Sequence, residues 1–518
     1  MGVCSALLAL LAGACGTGND GVGNGAAPPV PFGASPGTTQ QASPNGAQNE
    51  AAPSDGTANT ASTGGDNSET VPGGIALTPG STPAGTDTNG STPVPGMDGT
   101  TPEMMPPAST AKLERPTKGT SNLFTDLLGV PVDQVDDKVL QAVNRFYGIG
   151  TNEPTTPTVN TGYRVYYELP QDPSMAFIWA ADSNDIRSEG MSYGMMIAVQ
   201  MNMPDQFNKI WKFAQTFMQF PGNATQTSWR GAFRWQGSVN TGNANNWQVN
   251  FGANTGPAPD GDEYFATALY LADRRWGSAG GVNYKQQADT ISHALISNPA
   301  ANGNTPLFNA GNNLVVFFPS GGSANFTDPS YNLPAFYELF ALDGPAGDAA
   351  RWNTIADASR RLIVNAANAN TGLHPDYSNF DGTPNGGGPD FRYDAWRVIM
   401  NMAVDYAWFS QDARFTTQAN KYHAFFGDKL NANKDNVANA LFAVDGSNAS
   451  GGGSTALTST LAAGALASTA PNRKDFVQAA WNVAQQSGQY RYYQEAVYLL
   501  GMLNTAGLFG YEWNAQTP

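Results

Sequence analysis

The chain has 518 residues and a formal net charge of −16, because 42 Asp and Glu outnumber 26 Lys and Arg. Only 13% of its residues are charged and no basic patch or Lys/Arg-rich helix occurs, which argues against nucleic acid and anionic membrane surfaces as partners. A surface this poor in charge is covered mainly by Asn, Gln, Ser, Thr and Gly, and it suits a neutral, hydroxyl-rich ligand.

The first residues of the chain have the character of an export signal. Residues 3–14 form an apolar run that is too short to span a bilayer and is typical of the hydrophobic region of a signal peptide. The four residues that end at Cys15 resemble a bacterial lipobox, in which the cysteine becomes the lipidated N-terminus. We therefore expect a leader over 1–15 and a secreted protein that is lipid-anchored to the bacterial cell envelope through Cys15. An uncleaved hydrophobic tail is the alternative. The Lys or Arg expected before the apolar run is missing.

Composition divides the rest of the chain into two parts. Residues 16–118 are mostly Gly, Ala, Pro, Ser, Thr, Asn and Asp, which bury too little apolar surface to offset the entropy of ordering, so we predict a disordered linker. Residues 119–518 are rich in Trp, Tyr, Phe and Met and show no second break in composition. We expect one monomeric domain of catalytic size here, without disulfides because Cys4 and Cys15 both lie near the N-terminus.

Apolar segments of helical length recur through this domain, with Gly-, Asn- and Pro-rich connectors between them. They lie near 135–147, 191–202, 205–219, 262–276, 284–297, 332–342, 347–368, 393–410, 414–427, 434–443, 454–467, 474–485 and 491–505. Short connectors alternate with long ones at 221–261, 298–331 and 369–392. Paired helices with their long loops on one side predict an all-α fold, a closed ring of helical hairpins with a site among the loops. An open helical solenoid is the alternative, but no repeated sequence period supports it.

The first acidic cluster stands at a loop-to-helix junction within residues 182–196. Glu189 is expected in the first turn of a buried helix, with Ser188 available as its cap. By itself this placement favours a carboxylate that only complements the helix dipole. However, Gly190 and Gly194 would let another molecule approach. Apolar neighbours would also raise the pKa of Glu189, as a general acid needs.

Two further acidic clusters stand at equivalent junctions. Asp260 precedes the 262–276 segment and Glu263 follows three residues later, in a spacing that also fits a helix cap. Asp394 has Arg397 three residues on, which either keeps its carboxylate ionised for catalysis or is an ordinary first-turn ion pair. One neutral carboxyl and one ionised carboxylate in a shared groove are what hydrolysis of a glycosidic bond requires.

The long loops also carry aromatic residues, and the domain has few histidines. Candidates for stacking on sugar rings, each with burial in the core as the alternative, are Trp229, Phe233, Trp235, Trp247 and Tyr331. The three histidines, His293, His374 and His423, show no spacing of metal ligands, so we expect no metal and no other cofactor.

Four motifs follow one another in the chain. They are Arg187-Ser-Glu-Gly-Met-Ser-Tyr-Gly-Met-Met, Pro259-Asp-Gly-Asp-Glu-Tyr-Phe, Pro329-Ser-Tyr-Asn-Leu-Pro-Ala-Phe-Tyr-Glu and Phe391-Arg-Tyr-Asp-Ala-Trp-Arg. Together they resemble glycoside hydrolase family 8, over about residues 119–515. The resemblance implies an (α/α)6 barrel and hydrolysis of β-1,4 linkages with inversion.

The resemblance also implies roles for single residues. Glu189 would be the general acid and Asp394 the base that activates water, and Asp260 would bind and distort the sugar at the cleaved position. Substrate- or water-positioning residues would be Tyr331, Arg397, Tyr393 and Trp235.

The motif around Asp260 is similar to the xylan-active branch of the family. In exo members of that branch, which release xylose from the reducing end, a Leu-His-Pro loop downstream of the base blocks the groove. This chain has Leu373-His374-Pro375 upstream of Asp394, whereas its downstream stretch 445–455 is rich in Gly and Ser. The resemblance therefore favours an endo-β-1,4-xylanase acting on xylan, with the reducing-end exo-oligoxylanase as the alternative. An endoglucanase, a chitosanase and a non-catalytic carbohydrate-binding protein are less favoured.

Overall fold

The structure, a computed structural model, describes residues 112–222, 227–252, 255–410 and 412–514. Thirteen α-helices lie within these ranges. In chain order they are α1 (Leu123–Leu128), α2 (Val132–Tyr147), α3 (Ser188–Gln200), α4 (Pro204–Phe213), α5 (Pro259–Trp276), α6 (Tyr284–Ser297), α7 (Pro334–Asp343), α8 (Ala349–Ala366), α9 (Val398–Asp405), α10 (Ala413–Phe426), α11 (Thr455–Gly464), α12 (Arg473–Asn482) and α13 (Arg491–Thr505).

Six of these helices form a closed inner ring. Each packs against the next in the order α3, α5, α7, α9, α11 and α13, and α13 packs back against α3. The inner helices are apolar around most of their circumference, as α3 shows, where every residue except Glu189 is buried. A helix that is apolar on all sides is stable only when other elements cover all of it.

A second set of six helices surrounds the ring. Helices α4, α6, α8, α10 and α12 each pack against the inner helix that precedes them, and α2 packs against α13. The outer helices are amphipathic: α2 buries one stripe at helical spacing, made of Val135, Val139, Ala142, Val143 and Phe146. This architecture is an (α/α)6 barrel, so the prediction of a closed ring of helical hairpins is confirmed.

Short strands decorate the loops of the barrel. They are β1 (Lys118–Gly119), β2 (Tyr166–Leu169), β3 (Asp172–Ile178), β4 (Ile186–Arg187), β5 (Gln236–Asn240), β6 (Gln248–Asn250), β7 (Phe308–Asn309), β8 (Leu314–Val315) and β9 (Gly510–Glu512). All pairings are antiparallel, and the sheets are β1–β9, β2–β3, β4–β5–β6 and β7–β8. Strand β4 leads directly into α3 and pairs Arg187 with Gln236 of the long loop before α5.

The helices differ from the sequence-based prediction in three places. The prediction of a helix over 434–443 is wrong, because these residues form bends and isolated bridges, such as that between Phe391 and Phe442. The segment 393–410 is helical in three pieces, a 3-10 turn (Tyr393–Arg397), α9 and a π turn (Tyr406–Ser410). The short α1 was missed, although Asn122 caps its start and Gly129 ends it in the left-handed conformation.

Some residues that we assigned to the linker contact the barrel. The backbone N–H of Leu113 donates to Asp136 of α2 at 3.1 Å, and Arg115 forms an ion pair with the same carboxylate at 2.7 Å. Glu114 forms an ion pair with Arg275 of α5 at 2.8 Å. The leader, Cys15 and the linker up to residue 111 lie outside the described residues. In the described part of the chain, no helix combines the length and apolar character needed to cross a membrane.

A buried arginine ties three consecutive barrel helices together. Arg360 of α8 donates from Nε and Nη2 to both carboxylate oxygens of Asp405 at the end of α9, at 2.9 and 2.7 Å. Its Nη1 lies 2.9 Å from Glu338 of α7 and 3.3 Å from Asp357 on its own helix. Asp405 is fully buried, whereas the Asp357 side chain is 67% exposed. The buried partner should therefore contribute far more to stability than the exposed one.

We expect Asp405→Asn to lower the free energy of unfolding by about 3–5 kcal/mol, because it leaves the buried guanidinium without its bidentate partner. The control Asp357→Asn, which removes the exposed partner of the same guanidinium, should cost less than about 1 kcal/mol. Urea unfolding of both variants measures the difference. Equal losses would show that the buried pair is no stronger than the surface contact.

Candidate active site

One end of the inner ring gathers the acidic clusters. Glu189 lies in the first turn of α3 and Asp260 in the first turn of α5. Asp394 and Arg397 lie in the 3-10 turn that leads into α9. All three carboxyl groups therefore stand at N-terminal ends of inner helices, where the helix dipole favours negative charge. The long loops at 221–261, 298–331 and 369–392 enter α5, α7 and the turn before α9, as the loop pattern predicted.

The guanidinium of Arg397 joins the three carboxyl groups. Its Nη1 donates to Glu189 Oε2 at 2.9 Å and lies 3.2 Å from Asp260 Oδ2. Its Nη2 lies 2.7 Å from Asp394 Oδ1. The pairing of Asp394 with Arg397, predicted from their spacing, is confirmed. Because the three carboxyl groups share one planar cation, they face one small volume.

Burial sets the electrostatics of this volume. Desolvation raises the pKa of Glu189, against the opposing charge of Arg397 and with a further rise from Asp394. Desolvation likewise raises the pKa of Asp260 to about 7, although Arg397 lowers it. A raised pKa for Glu189 is what the apolar neighbours predicted. The Glu189 side chain is 16% exposed, against 4% for Asp260 and 3% for Asp394, so it is the carboxyl most open to a ligand.

Asp394 presents one free oxygen to this volume. Its Oδ1 is bound to Arg397, whereas its buried Oδ2 accepts no hydrogen bond from any described residue. A buried carboxylate oxygen without a partner costs free energy unless a ligand or a water molecule satisfies it. Oδ2 is therefore open to a hydrogen bond from a ligand or a water molecule.

The glycines of α3 serve packing within the protein, not access for another molecule. A Cβ on Gly190 would lie 2.4 Å from the ring of Tyr492, and the hydroxyl of this tyrosine donates to Glu189 Oε1 at 3.0 Å. A Cβ on Gly194 would lie 2.8 Å from Ile178. Our interpretation of these glycines was therefore wrong. Gly190 makes room for Tyr492, whose hydroxyl binds the carboxyl group of Glu189.

The helix starts also differ from the predicted capping. Arg187, not Ser188, is the N-cap of α3, and Ala258, not Asp260, is the N-cap of α5. Ser188 packs instead against Gly261, where a Cβ would lie 2.5 Å from its Oγ. This close approach of α3 and α5 brings Asp260 beside Glu189.

Glu263 likewise does not cap α5. It is fully buried and accepts a hydrogen bond from the hydroxyl of Tyr337 at 3.1 Å. Glu263 follows the first turn of α5 and belongs to the interior of the barrel.

The predicted positioning residues lie around this cluster, but in different ways. The guanidinium of Arg397 lies 5.8 Å from the ring centre of Tyr331. Tyr393 is partly exposed, and its backbone carbonyl accepts a hydrogen bond from Tyr493 at 2.9 Å. The backbone of Trp235 lies next to that of Glu189, because the Trp235 carbonyl accepts the N–H of Ser188 at 2.9 Å. Trp235 is 8% exposed.

The other aromatic candidates belong to the interior. Trp229, Phe233 and Trp247 are buried in the main hydrophobic cluster at 5%, 0% and 4% exposure. Phe233 packs against Phe265 and Trp211, both on barrel helices. For these three residues the alternative of core packing holds.

Several polar residues around Arg397 were missed in the sequence. Ser330 accepts from Arg397 Nη2 at 2.8 Å, and the hydroxyl of Tyr193 accepts from Nη1. The buried carboxylate of Asp328 lies 4.0 Å from Nη2. A fifth acid, Asp376, accepts the backbone N–H of Asp394 at 3.1 Å. Only Ser330 and Tyr193 lie inside a quoted motif, so their place in these motifs was the one available signal.

The histidines lie away from the acidic cluster. His374 is fully buried and bonds Tyr422 and the carbonyl of Ile363 at 2.8 and 2.7 Å. His423 is buried against Ser468, and His293 contacts Asp348 at the surface. Among the described residues, no three His, Cys, Asp or Glu side chains are arranged to hold a metal ion.

Known proteins share this arrangement of sequence and fold. The family model described as Glycosyl hydrolases family 8 matches residues 177–507, which include all three carboxyl residues and Arg397. A reducing end xylose-releasing exo-oligoxylanase of Halalkalibacterium halodurans is 34% identical over 400 residues, 76% of this chain and 94% of that protein. The reducing-end xylose-releasing exo-oligoxylanase Rex8A of Paenibacillus barcinonensis is 35% identical over 352 residues, 66% of this chain and 87% of that protein.

A solved structure shows the same likeness in three dimensions. It is a catalytic mutant of a family 8 xylanase from Teredinibacter turnerae in complex with xylohexaose. It is 36% identical, with a TM-score of 0.66, and the match covers 76% of this chain and 98% of that one. The family resemblance carried by the four motifs is thereby confirmed.

Proposed function

The chain belongs to glycosyl hydrolase family 8, and we propose that it hydrolyses β-1,4-xylosidic bonds with inversion at the anomeric carbon. The observation that carries this proposal is the single guanidinium of Arg397, which holds Glu189, Asp260 and Asp394 together. The xylosidic substrate is inferred from two relatives named for the release of xylose and from a xylanase that binds xylohexaose.

In the proposed reaction Glu189 gives its proton to the glycosidic oxygen, and the bond from that oxygen to the anomeric carbon breaks. Asp394 takes a proton from a water molecule through its free Oδ2. The oxygen of this water then bonds to the opposite face of the anomeric carbon. One water is consumed, and exchange with solvent restores both carboxyl groups. Asp260, beside Glu189 on the same guanidinium, is assigned to the sugar at the cleaved position.

We propose release of xylose from the reducing ends of xylo-oligosaccharides as the mode of action. Two relatives that carry this name align over 94% and 87% of their own length. Our expectation of endo action has no such specific support from these relatives. Exo action requires that some segment close the groove beyond the reducing-end sugar. Leu373-His374-Pro375 does not do so, because His374 is buried against Tyr422.

Endo action on xylan is the second candidate, and one loop favours it. The segment 440–442 borders the base, since the indole N–H of Trp396 donates to Ala440 and Phe391 pairs with Phe442. The stretch beyond it, residues 445–453, is largely exposed and consists of small or short polar residues. A groove left open there would let a polymer extend past the cleavage point, and the xylanase neighbour binds a chain of six sugars.

We expect Glu189→Gln and Asp394→Asn each to lower kcat on xylohexaose by about 10²–10⁴, since each removes one proton transfer from the reaction. The raised pKa of Glu189 keeps the acid protonated to higher pH, and its activity is lost as pH rises through that pKa. With the wild-type enzyme, the newly formed reducing end should appear first as the α-anomer, which NMR of fresh product can detect.

The matched control is Asp205→Asn, which changes an exposed acid in the first turn of the outer helix α4. It should leave kcat unchanged. A β-anomer as first product would refute inversion, and full activity of Glu189→Gln would refute the assignment of the acid. No sugar release by wild-type protein would instead favour a binding protein.

Product analysis separates the two modes. Exo action on xylohexaose should give xylose and xylopentaose first, leave the viscosity of xylan nearly unchanged, and fail on xylohexaose whose reducing end has been reduced to an alditol. A spread of oligosaccharides, a rapid fall in viscosity and cleavage of the reduced substrate would establish endo action instead. Chitosan and β-glucan serve as control polymers, and preference for either would overturn the xylosidic assignment.

We also propose that Cys15 anchors the domain to the cell envelope, as the lipobox-like sequence suggests. Cys15→Ala should move the protein from the membrane fraction to the soluble fraction, while hydrolysis by the domain stays unchanged. Fractionation followed by immunoblotting measures this. An unchanged distribution would refute the anchor.

A further inference from the structure

A buried aspartate outside the proposed chemistry holds the backbone of the base. Asp376 is fully buried in the loop between α8 and the turn that carries Asp394. Its Oδ1 accepts the backbone N–H of Asp394 at 3.1 Å and that of Ala395 at 3.4 Å. Its Oδ2 accepts from Nε of Arg392 at 2.8 Å. One carboxylate thus binds the chain before and after Tyr393.

The residue between these contacts has a strained backbone. Tyr393 has a φ of 26°, in a region that a bulky side chain rarely adopts. Such strain persists only where surrounding contacts hold it. Here Asp376 holds the flanking residues Arg392 and Asp394, and the hydroxyl of Tyr493 donates to the carbonyl of Tyr393 at 2.9 Å.

The loop that carries Asp376 is itself anchored on two sides. The N–H of Asp376 donates to the carbonyl of Asp390 at 2.8 Å, which joins it to the segment before the base. Two residues further on, Ser378 pairs with Thr327, which precedes Asp328 and the Ser330 that binds Arg397. The loop of Asp376 is therefore bonded both to the segment before Asp394 and to the segment that binds Arg397.

We propose that Asp376 is a positioning residue that keeps Asp394 in the geometry needed to activate water. The inference rests on the proposed function, since it assigns Asp394 as the base. Oδ2 of Asp394 is free, so the position of this atom depends on the backbone and on the single contact of Oδ1 with Arg397. Releasing the backbone would let Oδ2 move relative to the water and the sugar, and a displacement of about 1 Å can cost on the order of 10²-fold in rate.

Three N–H donors surround Asp376, and an amide cannot satisfy all of them. An asparagine here has one oxygen that accepts and one NH2 group that only donates. Whichever way the amide turns, its NH2 group faces an N–H donor, either that of Arg392 or those of the base segment. The substitution therefore breaks one side of the clamp while it keeps the size and shape of the side chain.

The test compares Asp376→Asn with Asp381→Asn, an exposed aspartate of the same loop that bonds only Thr383 in its side-chain contacts. On a xylo-oligosaccharide, we expect Asp376→Asn to lower kcat at least about tenfold, with KM and the Kd for xylobiose changed less than about twofold. Asp381→Asn should match wild type in all three. If Asp376 served folding alone, the substitution would lower the midpoint of thermal unfolding without a selective loss of kcat.

Arg392→Gln provides a second variant should Asp376→Asn fail to fold. It removes the charged partner of Asp376 and leaves the acid in place, so kcat should fall with KM unchanged. An unchanged kcat in a folded Asp376→Asn or Arg392→Gln protein would overturn the inference, as would a loss confined to KM. A wild type that releases no sugar would refute the proposed function, whereas an active wild type matched by both variants would refute the positioning role alone.

Discussion

The site depends on the burial of one positive charge. Arg397 is 2% exposed, and a guanidinium removed from water is stable only when anions and hydrogen-bond acceptors surround it. Three carboxyl groups meet this need. Burial, and to a lesser extent repulsion between the neighbouring carboxyl groups, raises the pKa of Glu189 and of Asp260. Burial of this one cation therefore goes with a raised pKa for Glu189 and with an ion pair for Asp394.

The barrel explains how distant parts of the chain reach this cation. Inner helices that are apolar on nearly every side must pack against one another, and this packing brings their N-terminal ends together. Close packing needs small residues at the contacts: Gly261 lets α5 reach Ser188 of α3, and Gly190 admits the ring of Tyr492 from α13. Acidic first turns are favourable at these ends because of the helix dipole.

Glu189 and Asp394 are held in place by different means. Glu189 stands on a regular helix and is contacted by Tyr492 of α13 and by Arg397 of the turn before α9. Asp394 stands on an irregular turn next to the strained Tyr393, and a buried loop carboxylate, Asp376, binds its backbone. The segment 440–442 packs on the same turn, through Trp396 and Phe391. Differences in substrate length among members of one family are readily accommodated in such loops, because the helices beneath them need not change.

The sequence by itself determined the fold class, most of the helices and the three acids that the structure brings together. Hydrophobic periodicity locates α6 and α13 closely, because that pattern is local, and the family motifs identify Glu189, Asp260 and Asp394. It failed at 434–443, where pairing with Phe391, far away in sequence, overrides a local helical pattern.

Only the tertiary structure decided which residues surround the acids. Tyr492 lies 303 positions from Glu189 in the chain, and no spacing rule connects them. The glycines of α3 read as openings in the sequence, whereas their neighbours in space fill them. Asp376 likewise carries no local signal, because its role rests on backbone N–H groups 18 and 19 positions away. Local sequence patterns determine where helices and strands form. Which residues contact a buried charge is decided only when those helices and strands pack together.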